Sequence, residues 1–389
     1  MKNMPDGLRS GMEIGMEQLY AGSYNAPVLT GDGTVYQGNG KGITRYEFDE
    51  ETGKLFEKES IPEAPNASWL AFSPDRKRLY AVNELDNHEG TKGGAVSAYL
   101  VQEDGCLRFM NRLPVMGAAP CHVDCAPEHG QARHVYTANY NGGSLSAFSL
   151  KEDGSLKALD CLVQHEPCFW ENEGQASVLD PASVDKGKKK LPHVHSSSVF
   201  DGFLWITDLG LDILEAYRLD ITGGLETEGK GAPCMQLKLP NGCGPRSLAF
   251  WKNRIFVSCE LSNEVAVLER KGDSLTLIQR ISSLPEGTDV DNHVGGIQIS
   301  EDGRYLYVGN RGHDSIAVFS VKKEGIVPEQ WAPSGGRNPR GFSLSPSGKW
   351  LLAANQDSGN LTVMKRDEET GLLHSAGCYE AQAVVCLLF

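Results

Sequence analysis

The chain repeats one short pattern of apolar and polar residues seven times. In each copy an aromatic residue or leucine precedes small apolar residues and a polar pair, as in YAVNE and YVGNR. The copies are 45 to 69 residues apart and begin at Tyr20, Tyr80, Tyr136, Trp205, Phe256, Tyr307 and Leu352. Repetition over tens of residues is typical of architectures in which each unit packs against its neighbours.

The flanks of each copy indicate strands. Most copies follow an apolar run and a turn, as in IQISEDGRYLY, and precede a second alternating segment such as DSIAVFSV. Alternation with a period of two predicts strands, and the Pro, Asp, Ser and Gly between them supply hairpin turns. The sequence therefore predicts an all-β protein, a seven-bladed β-propeller with four-stranded antiparallel blades.

The two ends of the chain predict how the ring closes. The first copy lacks a preceding apolar strand, whereas AQAVVCLLF at residues 381–389 is an apolar strand with nothing after it. We expect this strand to complete the first blade and remove the open edge. The predicted domains are an N-terminal tail at 1–18 and one propeller at 19–389, with a polar, lysine-rich surface loop inserted at 161–191.

Charge and composition narrow the classes of partner. A net charge of −14 and a pI near 5.2 argue against nucleic acid or an anionic membrane surface. We also find no apolar run of the length of a signal peptide or membrane span. The ten cysteines have no regular spacing, which favours reduced thiols. We therefore expect a cytoplasmic protein, and we leave its oligomeric state open.

The repeat also predicts a site. In an antiparallel hairpin the start of the inner strand lies beside the end of the second strand, so both positions face one mouth of the channel. The strand-start positions are Ser68, Cys121, His195, Arg246, Gly295 and Arg340. The strand-end positions are Tyr24, Glu84, Tyr140, Leu209, Glu260, Arg311 and Gln356. Because buried charges are costly unless they are paired, we expect the charged residues of both sets to form a functional pocket.

The polar residue just before each strand end has a simpler interpretation. These residues are Asn83, Asn139, Asp208, Asn310 and Asn355. Short amides and carboxylates commonly hydrogen-bond to nearby backbone at turns. We therefore expect them to brace strand ends.

Four segments resemble a known family. PHVHSSSVF with TDLGLD, GCGPRSLAF with CEL, EDGRYLYVGNRGHDSIAVF, and NPRGFSLSPSGKWLLAANQ are similar to the seven-bladed propeller lactonases. That family includes cycloisomerase-type 6-phosphogluconolactonases and the fungal carboxymuconate lactonizing enzyme. The resemblance extends from about Leu19 through nearly the whole chain. It implies a functional histidine at His195, arginines at Arg246 and Arg311, and an acid at Glu260. The chain departs from the family pattern at Ser247 and Gly296.

These observations define the expected chemistry. Arginine forks bind carboxylate or phosphate and stabilise an oxyanion, and His195 or Glu260 is the candidate base. The predicted catalytic residues are His195, Glu260, Arg246 and Arg311, and the predicted substrate-binding residues are Arg340, Glu84, His193 and His122. We expect no cofactor and no metal. In a strand the side chain of His122 points to the opposite face from those of Cys121 and Cys125, so the three cannot bind one ion. His193 and His195 share a strand face, but no further residue with the spacing of a metal ligand accompanies them.

The favoured function is hydrolysis of a small anionic sugar lactone, 6-phosphogluconolactone above all. The alternatives are lactone formation or cycloisomerisation on a carboxylated substrate, and a non-catalytic propeller that presents loops to a protein partner. A scaffold has no need for a charged channel mouth, which favours the enzyme. A metal-dependent lactonase is a further alternative, and it predicts loss of activity on chelation.

Overall fold

A computed structural model shows seven four-stranded antiparallel sheets, and it confirms the predicted propeller. It describes residues 15–30, 33–128, 131–169, 189–220, 222–225 and 232–389. All regular secondary-structure elements within these residues are β-strands. The inner strands contact one another in sequence around a closed ring, so their side chains line a central channel.

Blades are numbered along the ring, and each is given from its inner to its outer strand. Blade 1 contains Val384–Leu388, Met16–Ser23, Ile43–Asp49 and Leu55–Ile61, and blade 2 contains Leu70–Phe72, Arg78–Asn83, Ala95–Val101 and Leu107–Pro114. Blade 3 contains Pro120–Glu128, Gln131–Asn139, Ser144–Leu150 and Leu156–Gln164, and blade 4 contains Val194–Phe200, Phe203–Asp208, Ile213–Arg218 and Met235–Lys238. Blade 5 contains Pro245–Trp251, Arg254–Cys259, Glu264–Lys271 and Ser274–Ser282, and blade 6 contains His293–Ile299, Tyr305–Arg311, Ser315–Val321 and Ile326–Pro333. Blade 7 contains Pro339–Leu344, Trp350–Asn355, Asn360–Arg366 and Leu373–Glu380.

Ring closure follows the prediction. The C-terminal strand Val384–Leu388 pairs antiparallel with Met16–Ser23, with Tyr20 opposite Leu388. Phe389 packs edge-on against Phe48, with ring centroids 5.4 Å apart, in the cluster between blades 1 and 7. The last residues of the chain therefore join its first and last blades.

The repeated aromatic residue has a structural role that explains the repeat. The hydroxyl groups of Tyr80 and Tyr307 donate to the carbonyls of Gly154 and Gly371, each at 2.9 Å. Both glycines lie in the outer hairpin turn of the next blade and have positive φ angles of 82° and 72°, which glycine adopts without strain. Tyr20 and Tyr136 make the equivalent bonds. Each of these tyrosines ties its blade to the next one.

Seven hydrophobic clusters fill the seven interfaces between blades. The cluster between blades 2 and 3, for example, joins Val82 and Val96 to Val123 and Phe148. Alternate residues of a strand point to opposite faces, so each sheet contributes one face to each of its two neighbours. The hydrophobic core is therefore spread around the ring and is not gathered in one central cluster.

The polar residues before the strand ends brace turns, as predicted. Asn83 Nδ2 donates to the carbonyl of Pro65 at 2.8 Å, and Asn355 Nδ2 donates to that of Ser334 at 3.1 Å. Asp208 accepts from the backbone amide of His193 at 2.8 Å. All three side chains are fully buried, so their bonds hold the loops between blades at the channel mouth.

Two predicted boundaries can be compared with the structure. The first strand begins at Met16, before the predicted domain start at residue 19. Residues 161–164 of the predicted surface loop end the outer strand of blade 3, where Gln164 pairs with Ser144. The remainder of that loop lies largely at 170–188, outside the described residues.

The described residues contain no helix long and apolar enough to cross a membrane.

Candidate active site

β-Bulges place the strand-start residues. In blade 5 Pro245 pairs with Cys259 and Ser247 with Ser258, so Arg246 is the extra residue. The pairing skips His195 in blade 4 and Arg340 in blade 7 in the same way. A bulge bends the strand and re-aims the extra side chain. The alternation of apolar and polar residues does not reveal these bulges, although the alignment of the hairpins selects the same three residues.

Four of the predicted catalytic residues lie in direct contact. Arg246 Nη1 lies 2.5 Å from Glu260 Oε2 and 2.6 Å from His195 Nε2. Arg311 Nη2 contacts the other Glu260 oxygen at 2.9 Å. Arg311 also donates to the carbonyls of His293 and Val294 at 3.3 and 3.2 Å. Glu260 therefore joins two arginines, and His195 completes the cluster.

The electrostatics of the cluster fix its charge near pH 7. Burial would raise the pKa of Glu260, but the guanidinium groups of Arg311 and Arg246 hold that pKa well below its usual range. Burial and the Arg246 charge lower the pKa of His195 well below its ordinary value. Burial also lowers the pKa of Arg311, to about 10. At neutral pH the carboxylate is ionised, the imidazole is neutral and Arg311 is charged.

The cluster leaves three nitrogen donors without a hydrogen-bond partner among the described residues. These donors are Arg246 Nη2, Arg311 Nη1 and the buried Arg246 Nε, whereas Arg246 Nη1 and the two other nitrogens of Arg311 are engaged. Since Arg246 Nη1 donates to His195 Nε2, the ring proton of His195 lies on Nδ1, which is buried without a partner among the described groups. The imidazole lone pair therefore faces the arginine.

Arg340 forms a second part of the site with Tyr24 and Glu84. The hydroxyl of Tyr24 donates to Glu84 Oε2 at 2.9 Å, and the Arg340 guanidinium lies 5.5 Å from the centre of the Tyr24 ring. Within the described residues Arg340 has no hydrogen bond or ion pair. Burial of its guanidinium opposes the charged form, but the field of Tyr24 and Glu84 holds its pKa above the usual value. Arg340 is therefore a charged, half-buried donor without a partner.

The two remaining predicted binding residues lie in different surroundings. His193 stacks on Tyr140 with ring centroids 4.5 Å apart, and the same tyrosine meets His195 edge-on at 5.5 Å. His122 instead stacks on Trp69 at 4.5 Å and lines the channel. Burial lowers the pKa of His122 to about 3. His193 thus borders the cluster, and His122 is a neutral group of the channel wall.

Tyr24, Tyr140 and His293 were absent from the predicted site. Tyr24 and Tyr140 occupy strand-end positions, so the repeat contains the signal for them. The predicted pocket rests on charged residues, however, and therefore does not include these neutral side chains. His293 lies 3.9 Å from Glu260 Oε1 and is about half exposed. No sequence pattern distinguishes it.

Among the described residues, no three His, Cys, Asp or Glu side chains are grouped as metal ligands.

Comparison with known proteins identifies the class. The family model described as a seven-bladed β-propeller lactonase matches residues 18–389. The chain is 32% identical to the 6-phosphogluconolactonase of Bacillus subtilis over 353 residues, covering 88% of this chain and 92% of that protein. It is 28% identical to the 6-phosphogluconolactonase of Formosa agariphila over 347 residues, covering 86% and 91%. The solved structure of a Pseudomonas aeruginosa periplasmic gluconolactonase matches with a TM-score of 0.78 at 27% identity, covering 96% and 99%.

The protein belongs to the seven-bladed β-propeller lactonase family. It is a lactonase, which agrees with the predicted enzymatic function and not with the alternative of a non-catalytic scaffold.

Proposed function

We propose that the protein hydrolyses 6-phosphogluconolactone to 6-phosphogluconate, a step of the pentose phosphate route, in the cytoplasm. The observation that carries the proposal is the unpaired Arg340 beside the cluster of Arg246, Glu260, Arg311 and His195. Three arginines face two carboxylates in this site, so its net charge is positive although the whole chain carries −14. Such a site favours an anionic substrate. Two relatives are named for this activity.

Arg246 and Arg311 stabilise the oxyanion. When water attacks the lactone carbonyl, the carbonyl oxygen becomes negative, and the free nitrogens Arg246 Nη2 and Arg311 Nη1 can donate to it. Glu260 anchors the Arg311 guanidinium, whereas Arg246 has to exchange its contact with His195 for a contact with the substrate. Because sugar lactones open in water without a catalyst, this stabilisation has to supply only a modest part of the barrier.

His195 is the proposed base. Its imidazole is neutral at pH 7, since its pKa is lowered, whereas both Glu260 oxygens are held by arginines. Once Arg246 turns toward the substrate, the His195 lone pair can accept a proton from the attacking water. The tetrahedral intermediate then expels the ring oxygen, which receives that proton from His195. One lactone and one water give one hydroxy acid, which ionises at neutral pH.

Arg340 is the proposed anchor of the phosphate. A guanidinium binds phosphate through two parallel hydrogen bonds, and this one has no protein partner to give up. Tyr24 supports the arginine from its ring face, and burial raises the pKa of Tyr24 so that its hydroxyl keeps its proton and holds Glu84. Arg246 and Arg311, by contrast, are already paired with Glu260.

The test compares fresh 6-phosphogluconolactone with unphosphorylated gluconolactone. We expect the wild-type protein to prefer the phosphorylated substrate, and Arg340→Met to lower that preference at least about ten-fold while the rate on the unphosphorylated lactone changes by less than about two-fold. The matched control is Arg337→Met, since Arg337 is exposed in the loop that precedes the inner strand of blade 7. Equal rates of the wild type on both lactones would instead indicate a general sugar lactonase.

The pH dependence tests the assignment of the base. Because the pKa values of His195 and Glu260 are lowered and that of Arg311 is about 10, no proposed catalytic group with a shifted pKa titrates between about pH 6 and 8. We expect kcat/KM on unphosphorylated lactone to be flat across this range after subtraction of spontaneous hydrolysis. This substrate avoids the phosphate ionisation near pH 6. A limb of unit slope centred near pH 6.5 would show that His195 keeps an ordinary pKa.

A further inference from the structure

The turn at residues 241–244 connects both halves of the proposed cluster. It lies two residues before Arg246, and the carbonyl of Gly244 accepts from the backbone amide of Glu260 at 2.7 Å. Asp212 holds the turn from the other side, accepting from the amides of Gly242 and Gly244 at 2.9 and 2.7 Å. Lys190 in turn donates to Asp212 at 2.5 Å. A change in this turn therefore reaches Arg246 and Glu260 directly.

Two free thiols meet inside this arrangement. Cys243 belongs to the turn and Cys259 immediately precedes Glu260, and their sulfur atoms are 2.7 Å apart. Both side chains are buried. A disulfide bond is about 2.05 Å long, so a small side-chain rotation brings these sulfurs to bonding distance. No large backbone movement is required.

We propose that Cys243 and Cys259 are a disulfide site, formed by a peroxide oxidant, that staples the turn before Arg246 to the strand end that carries Glu260. One thiolate attacks a peroxide oxygen and becomes a sulfenic acid as one water leaves. The second thiol attacks that sulfur, forms the disulfide and releases a second water. Two thiols and one hydrogen peroxide thus give one disulfide and two waters.

The surroundings set the rate of this oxidation. The contact with Cys259 and burial raise the pKa of the Cys243 thiol well above its usual value, so little thiolate is present at neutral pH and the reaction is slow. The turn itself is at the surface, since Asn241 is exposed and Gly242 is half-buried. Local opening of this short turn exposes the thiol without unfolding the blade.

The consequence is stabilisation with retained activity. The sulfurs already touch, and the hydrogen bonds from Asp212 hold the turn in the same place before and after oxidation. The new bond closes a loop of about 15 residues, which restricts the unfolded chain. We therefore expect the oxidised protein to melt about 2 to 5 °C higher and to keep kcat/KM within about two-fold. This inference does not depend on which lactone is the substrate.

The experiment uses the full chain and hydrogen peroxide. Protein is incubated for hours, its remaining thiols are alkylated under denaturing conditions, and its peptides are mapped without reduction. We expect a peptide that links Cys243 to Cys259, with the higher melting temperature reversed by dithiothreitol. Cys243→Ser is the control and should show neither the link nor the shift.

A second arm accounts for slow access. The chain is also expressed in a host with an oxidising cytoplasm and mapped in the same way, so that the bond can form during folding. Recovery of both residues as free thiols in both arms, or their linkage to other cysteines, would overturn the proposal. So would a linked protein that melts lower than the reduced form, because the site would then not be arranged for the bond.

Discussion

Removal of residues 384–389 should prevent the propeller from folding. These residues include the inner strand of blade 1, and Val384 and Phe389 also belong to the cluster that joins blades 1 and 7. Their loss opens the ring and exposes the edge of Met16–Ser23, which can pair with other chains. We expect aggregation and no cooperative thermal transition, measured by size-exclusion chromatography and circular dichroism.

A graded variant separates closure from general truncation effects. Phe389→Ala removes one buried ring but keeps the strand, so it should cost about 3 kcal/mol and leave a protein that elutes like the wild type. A truncated chain that stays monomeric and melts at the wild-type temperature would disprove the role of the C-terminal strand in closing the ring.

Arg246→Ala should lower kcat/KM by about ten-fold to a few hundred-fold with the fold intact. The change removes a charge-assisted contact worth about 1.5 to 3 kcal/mol to the oxyanion. Glu260 does not become unpaired, because Arg311 still contacts it at 2.9 Å. The loss of stability should therefore be smaller than that of a broken buried ion pair. Melting temperature and kinetics are measured on the same protein.

Two variants define the interpretation of that result. Arg246→Lys should recover little activity, since a single nitrogen that contacts Glu260 and His195 cannot also place a donor where the second terminal nitrogen of the guanidinium, Nη2, lies. Arg280→Ala is the matched control, because Arg280 pairs with Glu264 at 2.5 Å in the same blade but outside the cluster. If Arg246→Ala loses several degrees of stability yet keeps its rate, Arg246 is structural and the catalytic assignment is wrong.

Much of the fold could be predicted because its signals are local. Period-two alternation and turn residues specify hairpins, and the repeated aromatic residues gave the number of blades. The unpaired apolar strand at the end of the chain predicted closure, which the pairing of Tyr20 with Leu388 confirms. Hairpin geometry also selected the strand-start and strand-end residues of the site, because it requires only that the two strands be antiparallel.

The propeller and the gathering of charged residues at one mouth of its channel follow from the strand pattern, whereas the pairing of those residues depends on the folded protein. Strand patterns do not reveal the bulges at His195, Arg246 and Arg340, because each lies at the second residue of its strand, where too little alternation precedes it to show a break. Glu260 contacts Arg246 and Arg311 while Arg340 stays unpaired, because these contacts depend on the distances between blades. The contact between Cys243 and Cys259 lies within one hairpin of blade 5, 16 residues apart in the chain, but the sequence does not show it, because Cys243 lies in a turn, where strand alternation does not set the direction of a side chain.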